Sequence, residues 1–178
     1  MADISRTLFS DVYEAFLSRI TDDMYMEFTV EETDAMMKEL LLGAIPKFEF
    51  PRVCLDYDAS FAVEGVEVGA FVSKLSQEEI NILAAYMVVE WVGQQLTSVE
   101  NTRMKYSGSD FKIGSQANYL QKLTLLKKEC EREGFHLQRL YKRRVQDANG
   151  VFHSSLGSIM DPPKSFQIKG GQYDKNKI

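Results

Sequence analysis

Cysteine and histidine are scarce in this chain: Cys54, Cys130, His136 and His153 are all it has. Two cysteines build no disulfide framework. Two isolated histidines, without cysteine or carboxylate partners at ligand spacing, build no conventional metal site. No apolar run approaches the roughly 20 residues a spanning helix needs. Met1-Ala2-Asp3 lacks the basic start and apolar stretch of a signal peptide, so folding in a reducing cytosol is expected and no membrane is. Catalytic signatures are equally sparse. Gly108 and Gly114 lack the Gly-Lys-Ser/Thr ending of a phosphate loop and follow no convincing strand. Ser155-Leu156-Gly157-Ser158 is not a nucleophile elbow. The paired carboxylates Asp22-Asp23, Glu31-Glu32 and Glu78-Glu79 cluster at expected helix starts, where the macrodipole favours negative charge. Neither an enzyme nor a cofactor is expected from these residues.

What is present is ordinary globular stock. The chain has 178 residues, 44% of them hydrophobic, 26% charged and 11% aromatic. A chain this long can bury roughly 70% of its unfolded surface around one core. The net charge of -5 hides an uneven distribution. Residues 1–100 carry nineteen Asp and Glu against six Lys and Arg, or -13; residues 101–178 carry seven against fifteen, or +8. Such a split suits a basic arm for nucleic acid. It equally suits two surfaces that attract each other within or between subunits, or a salt-laced helical surface.

Apolar spacing and capping signals place four helices, a mainly α fold. The first is expected from about Ser5 to Ile20, with Phe9, Val12, Tyr13, Phe16, Leu17 and Ile20 on one face. The second starts at the capping box Thr29-x-x-Glu32, carries Met36, Met37, Leu40, Leu41, Ala44 and Ile45, and ends at Pro46. Lys47–Val72 breaks period and reads as a loop or small hairpin with β-friendly pieces Phe61-Ala62-Val63 and Val66-Glu67-Val68. A second capping box, Ser76-x-x-Glu79, opens the third helix. Its stripe of Ile80, Leu83, Ala84, Met87, Val88, Trp91 and Val92, then Leu96, is wide enough to centre the core, with Met87 and Trp91 in the middle. Between Gln94 and Gly114 the pattern fades, and Ser107-Gly108-Ser109-Asp110 reads as a turn. Ser115 is expected to cap a last helix running to about Arg144, with Leu120, Leu123, Leu126, Cys130, Leu137 and Tyr141 as its stripe. Such a helix is about 45 Å long, so one end is expected to project, and Gly134 to fray or bend it. Cys130 on that stripe behaves as a small hydrophobe.

After Asn149-Gly150 the chain changes character, which divides it into a helical domain, residues 1–148, and an extended arm, residues 149–178. The arm has Pro162-Pro163 and no helical stripe. Yet Val151, Phe152, Leu156, Ile159, Met160, Phe166, Ile168 and Tyr173 are too many apolar side chains for linker alone. Ser165-Phe166-Gln167-Ile168-Lys169 alternates as an edge strand does. Thirty extended residues reach about 100 Å, which makes a docking arm the expectation, with Val151, Phe152, Phe166, Ile168 and Tyr173 as its contacts.

Several blocks carry a resemblance. Ile20-Thr21-Asp22-Asp23-Met24-Tyr25-Met26-Glu27-Phe28-Thr29-Val30-Glu31-Glu32 leads into a helix ending Leu40-Leu41-Leu42-Gly43-Ala44-Ile45-Pro46-Lys47-Phe48. Leu75-Ser76-Gln77-Glu78-Glu79-Ile80 opens a block that closes Tyr86-Met87-Val88-Val89-Glu90-Trp91. Ser107-Gly108-Ser109-Asp110-Phe111-Lys112-Ile113-Gly114-Ser115 then continues to Leu120. In this order the blocks resemble the head–tail adaptor (neck, or head-completion) proteins of long-tailed bacteriophages of Gram-positive hosts. The likeness covers about residues 5–145 and leaves the arm aside.

The resemblance implies a four-helix bundle that assembles in the host cytoplasm into a virion ring of about twelve copies beneath the portal. Its partners would be copies of itself, the portal protein, and the next neck, stopper or tail-terminator protein. Double-stranded DNA would pass through without sequence-specific contact. A lining that does not grip DNA is expected to come mainly from the acidic half, with Lys105 and Lys112 as exceptions. The alternative is a small helical DNA-binding or regulatory protein. It would use the basic residues Lys127, Lys128, Arg132, Arg139, Lys142, Arg143 and Arg144, although cations also stabilise a helix C-terminus unaided. A hydrolase or nuclease is a third, weaker reading.

Overall fold

The structure is a computed structural model that describes residues 6–20, 29–105, 113–146 and 152–154. The described residues are mainly helical, with four α-helices and short antiparallel strands. The chain divides into two compact units, Met1–Arg139 and Leu140–Ile178.

The first unit opens with a two-residue strand, β1 (Thr7–Leu8), followed at once by α1 (Phe9–Leu17). The helix is shorter than the expected Ser5–Ile20 because its start is drawn into a sheet. Thr7 and Leu8 pair with Phe71 and Ala70, and Phe9 N–H donates to the Gly69 carbonyl at 3.1 Å. Gly69 has φ +64°, and a Cβ there would lie 2.4 Å from the Phe9 ring, so only glycine fits this junction. The Thr7 hydroxyl, itself buried, accepts from Leu75 N–H at 2.8 Å and ties the chain's start to the entry of the third helix.

Helix α2 (Val30–Ala44) begins where the capping box placed it. Glu32 N–H donates to Thr29 Oγ1 at 3.3 Å, and Thr29 N–H donates back to the Glu32 carboxylate at 3.0 Å. Those bonds hold the Glu32 carboxyl below its usual range. Pro46 sits in a 3-10 turn, Ile45–Lys47, that ends the helix. The 47–72 stretch then builds more than a hairpin. Strands β3 (Ala62–Val63) and β4 (Val66–Glu67) form the expected hairpin. In addition, β2 (Tyr57–Asp58) and β5 (Ala70–Phe71) join β1 in a three-stranded antiparallel sheet ordered β1-β5-β2.

Helix α3 (Gln77–Lys105) also starts at its capping box. The Ser76 backbone N–H and hydroxyl donate to the Glu79 carboxylate at 2.7 and 2.8 Å. It does not fade at Gln94, as expected, but runs 29 residues, about 44 Å. Ile82, Leu83, Ala84, Ala85, Tyr86, Met87, Val89 and Val92 are all buried. This burial almost all round the helix follows from its position between α1 and α2 on one side and α4 on another. Leu83 and Met87 are fully buried, whereas Trp91 is only half-buried and lies off the centre.

Helix α4 spans Ile113–Arg143, 31 residues. Its start lies two residues before Ser115, so that serine is inside the helix rather than capping it. Leu123 is buried, and Leu120 and Leu137 are half-buried. Leu126 is 42% exposed, so the expected stripe faces the core only in part. Helix α4 runs unfrayed through Gly134. The glycine is buried against Tyr86 of α3, where a Cβ would come within 3.0 Å of the ring. Gln138, one turn on, is 1% exposed. Its amide donates to the Tyr86 hydroxyl and, at 3.5 Å, to the Lys47 carbonyl, while its oxygen accepts from Glu49 N–H at 3.1 Å.

In the second unit β6 (Arg144–Gln146) pairs antiparallel with β7 (Phe152–Ser154), register Arg144↔Ser154 to Gln146↔Phe152. This ladder joins residues on both sides of the expected boundary at 148/149. Replacing Gln138 by Leu keeps the volume but removes the hydrogen-bond partner of the buried Tyr86 hydroxyl. The variant should lose about 1–3 kcal/mol, read as a lower urea midpoint at unchanged slope; an unchanged midpoint would show that the contact contributes nothing.

Candidate interaction surfaces

A cleft of about 590 Å³ lies beside α3 in the first unit. Its floor comes from α3, through Ala85, Val88, Trp91 and Val92. Leu126, Cys130 and Glu133 of α4 form one wall; Arg19 and Ile20, just past α1, form another. The spacing of 3 and 4 residues along α3 and α4 puts each set on one face. Arg19 and Glu133 close the rim with an ion pair at 3.5 Å, the Glu133 side chain 62% exposed. This pair runs against the charge split, since the cation comes from the acidic half and the carboxylate from the basic half. A second ion pair, Lys47–Glu90 at 2.7 Å, lies wholly within the acidic half.

Trp91, on the cleft floor, carries a buried polar group left unpaired among the described residues. Its indole Nε1–H is buried and has no hydrogen-bond partner, a condition that leaves a donor without compensation for lost water. Cys130 is partly buried there. Its thiol is pushed up, first by burial and then by the Glu133, Glu129 and Glu131 carboxylates, which keeps it protonated and unreactive at neutral pH.

The outward side of α4 differs in kind. Lys128, Arg132, Phe135 and Arg139 recur at helical spacing and are exposed, and the Arg139 guanidinium lies 5.8 Å from the Phe135 ring centroid. Tyr119 (50% exposed), Leu125 (55%) and Phe135 (45%) leave considerable apolar area on the same helix. No cluster of three or more His, Cys, Asp or Glu with metal-binding geometry occurs among the described residues. His136 and His153 are both exposed.

The sequence-derived sites fall unevenly on this frame. Leu83, Met87 and Leu123 are buried, Leu120 and Trp91 half-buried. Lys105 is the last residue of α3; Lys112 lies outside the described residues. Of the arm contacts, Phe152 is in β7, while Val151, Phe166, Ile168 and Tyr173 lie outside the described residues, as does the Ser107–Asp110 turn. The cleft was not anticipated. Its signal was the excess of Trp91 and Val88 over what one helix face needs. Compared with known proteins, the chain matches no family model, no curated protein and no solved structure.

Two buried phenols link this packing to pH. Tyr86 is pushed up by burial and then by Glu49, and Tyr13 by burial and then by Asp34. A phenol whose folded pKa exceeds its unfolded value, about 10, contributes stability fully below that pH and loses it as pH rises. The melting temperature should therefore decline from about pH 10 upward, and Tyr13→Phe should flatten the decline. A profile unaltered by that substitution would remove Tyr13 from the account.

Proposed function

We propose that the chain is a structural subunit of a phage neck: a helical-bundle adaptor that forms a ring below the portal, extends the DNA channel and joins head to tail. The observation that carries this reading is the unsatisfied surface beside α4. Soluble monomers rarely leave contiguous apolar area of this kind unpartnered, and here an open apolar cleft adjoins exposed Leu126, with Tyr119 two turns earlier on the same side of the helix. A ring subunit needs two different complementary faces, which an acidic first half and a basic second half also suit. The order of the sequence blocks supports the same class. In this reading the four helices pack as one bundle, DNA passes without specific contact, and residues 149–178 are an arm for the portal or an adjacent neck protein.

Electron microscopy of the purified protein, alone and mixed with portal, should show closed rings, and raising the salt should weaken them. Individual exposed ion pairs contribute only about 0–1 kcal/mol, so the salt effect sums over many. A ring indifferent to salt would leave apolar contacts as its sole glue. Truncation after Gly150 should leave a folded protein that attaches poorly to portal; attachment as tight as that of the full chain would make the arm passive.

A second reading has its own observation, the exposed line Lys128, Arg132 and Arg139 on α4. In that reading the chain is a DNA-binding helical protein. Retention on duplex DNA at physiological salt, with a steep salt slope, would favour it over the adaptor.

A further inference from the structure

The side of α4 turned away from the core carries a regular row. Gln121, Leu125, Lys128, Arg132, Phe135 and Arg139 follow at steps of 4, 3, 4, 3 and 4 residues, and all six are exposed. Such spacing keeps side chains on one line along a helix and is the seam by which two helices pair. The row spans about 27 Å and lies wholly within the first unit. Its apolar members, Leu125 and Phe135, are 55% and 45% exposed. They stand at equal distances either side of position 130, with Lys128 and Arg132 between them.

Turned antiparallel about position 130, a second copy of the row matches the first at every place. Leu125 falls opposite the second copy's Phe135, and Phe135 opposite its Leu125. Lys128 meets its Arg132, and Gln121 its Arg139. A slip of one heptad sets Leu125 against Lys128 in one direction, or Phe135 against Arg132 in the other, so the apolar pattern selects this register. A parallel overlap would crowd two Phe135 rings into one layer and align the helix dipoles. The antiparallel one sets large against smaller side chains and opposes the dipoles. The charges agree. Glu129 and Glu131 flank the row and are exposed, and neither they nor Lys128 and Arg132 form an ion pair among the described residues. Antiparallel pairing brings Glu129 level, to within one residue, with the second copy's Arg132, and Glu131 with its Lys128. With two charges of each sign per copy, the centre of the pair balances. The Lys and Arg stems extend the apolar layers while their heads reach the carboxylates at the rim. We infer that α4 pairs antiparallel with α4 of a second copy, across a two-fold axis at position 130. This contact is isologous and joins copies two at a time. It goes beyond the proposed ring, which needs a heterologous contact, and it stands or falls apart from it.

The test uses the full chain with Cys54→Ser and Cys130→Ala, which leave no native thiol. In that background Leu125→Cys mixed with Phe135→Cys should give, under mild oxidation, two chains joined by a 125–135 disulfide, mapped by mass spectrometry. Either variant alone should give no product, because equal positions lie about 15 Å apart in this register, too far for a disulfide. Leu125→Glu, at an exposed position, should melt like the parent and lose the two-chain species in sedimentation equilibrium. Disulfides between equal positions, 125–125 or 135–135, would mean a parallel pairing and overturn the two-fold antiparallel one. A monomer in sedimentation with no 125–135 product overturns the pairing outright and leaves the ring to be decided by microscopy. Rings that vanish in Leu125→Glu, again with no 125–135 product, assign this face to the ring contact and overturn the pair.

Discussion

The packing of the first unit depends on how a polar helix is held against an apolar one. Helix α3 is apolar nearly all round, whereas α4 buries few apolar side chains and so has little general hydrophobic attraction to offer. The joint is made at particular points. Gly134 lets the Tyr86 ring approach the α4 backbone, and Gln138, one turn further, meets the Tyr86 hydroxyl and both ends of the Lys47–Glu49 backbone. Buried polar groups satisfied in this way fix one arrangement rather than many, because each alternative leaves a donor or acceptor unpaired. The same few bonds position the α4 wall of the cleft.

The start of the chain is secured by similar means. Strand β1 is only two residues long and cannot stand alone. It is held by the sheet register with β5, by Phe9 over Gly69, and by the Thr7 hydroxyl on Leu75 N–H. Phe9 and Phe71 meet edge to face with centroids 5.3 Å apart, a favoured aromatic geometry. Through these contacts the small sheet sets where α1 and α3 begin. Arg19 and Ile20, just past α1, and the N-terminal half of α3 are thereby brought to the same cleft.

Charge operates differently at the two scales. Within the subunit, the Arg19–Glu133 pair crosses the acid–base division in the unexpected sense, and Lys47–Glu90 ignores it. In the proposed ring, the broad division of -13 and +8 would act between subunits, where many weak pairs steer and select rather than glue.

Local physics made part of this legible in the residues alone. Capping boxes at Thr29 and Ser76, Pro46, and the apolar stripes of α2 and α3 are determined by neighbours three or four residues away, and the sequence displays them directly. The β3–β4 hairpin was visible for the same reason. The three-stranded sheet, the shortened α1, the extension of α3 to Lys105 and the start of α4 before Ser115 were not. Two-residue strands have no periodicity to read, and helix ends of polar sequence are set by what lies beside them. The role of Gly134 shows the limit most clearly. As a residue in a sequence it weakens a helix; only the approach of Tyr86, 48 positions earlier, makes the missing side chain the condition for contact. Gln138 and Trp91 follow the same logic: whether a polar atom in them is satisfied or orphaned depends on residues far away in the sequence, so only the tertiary structure decided it.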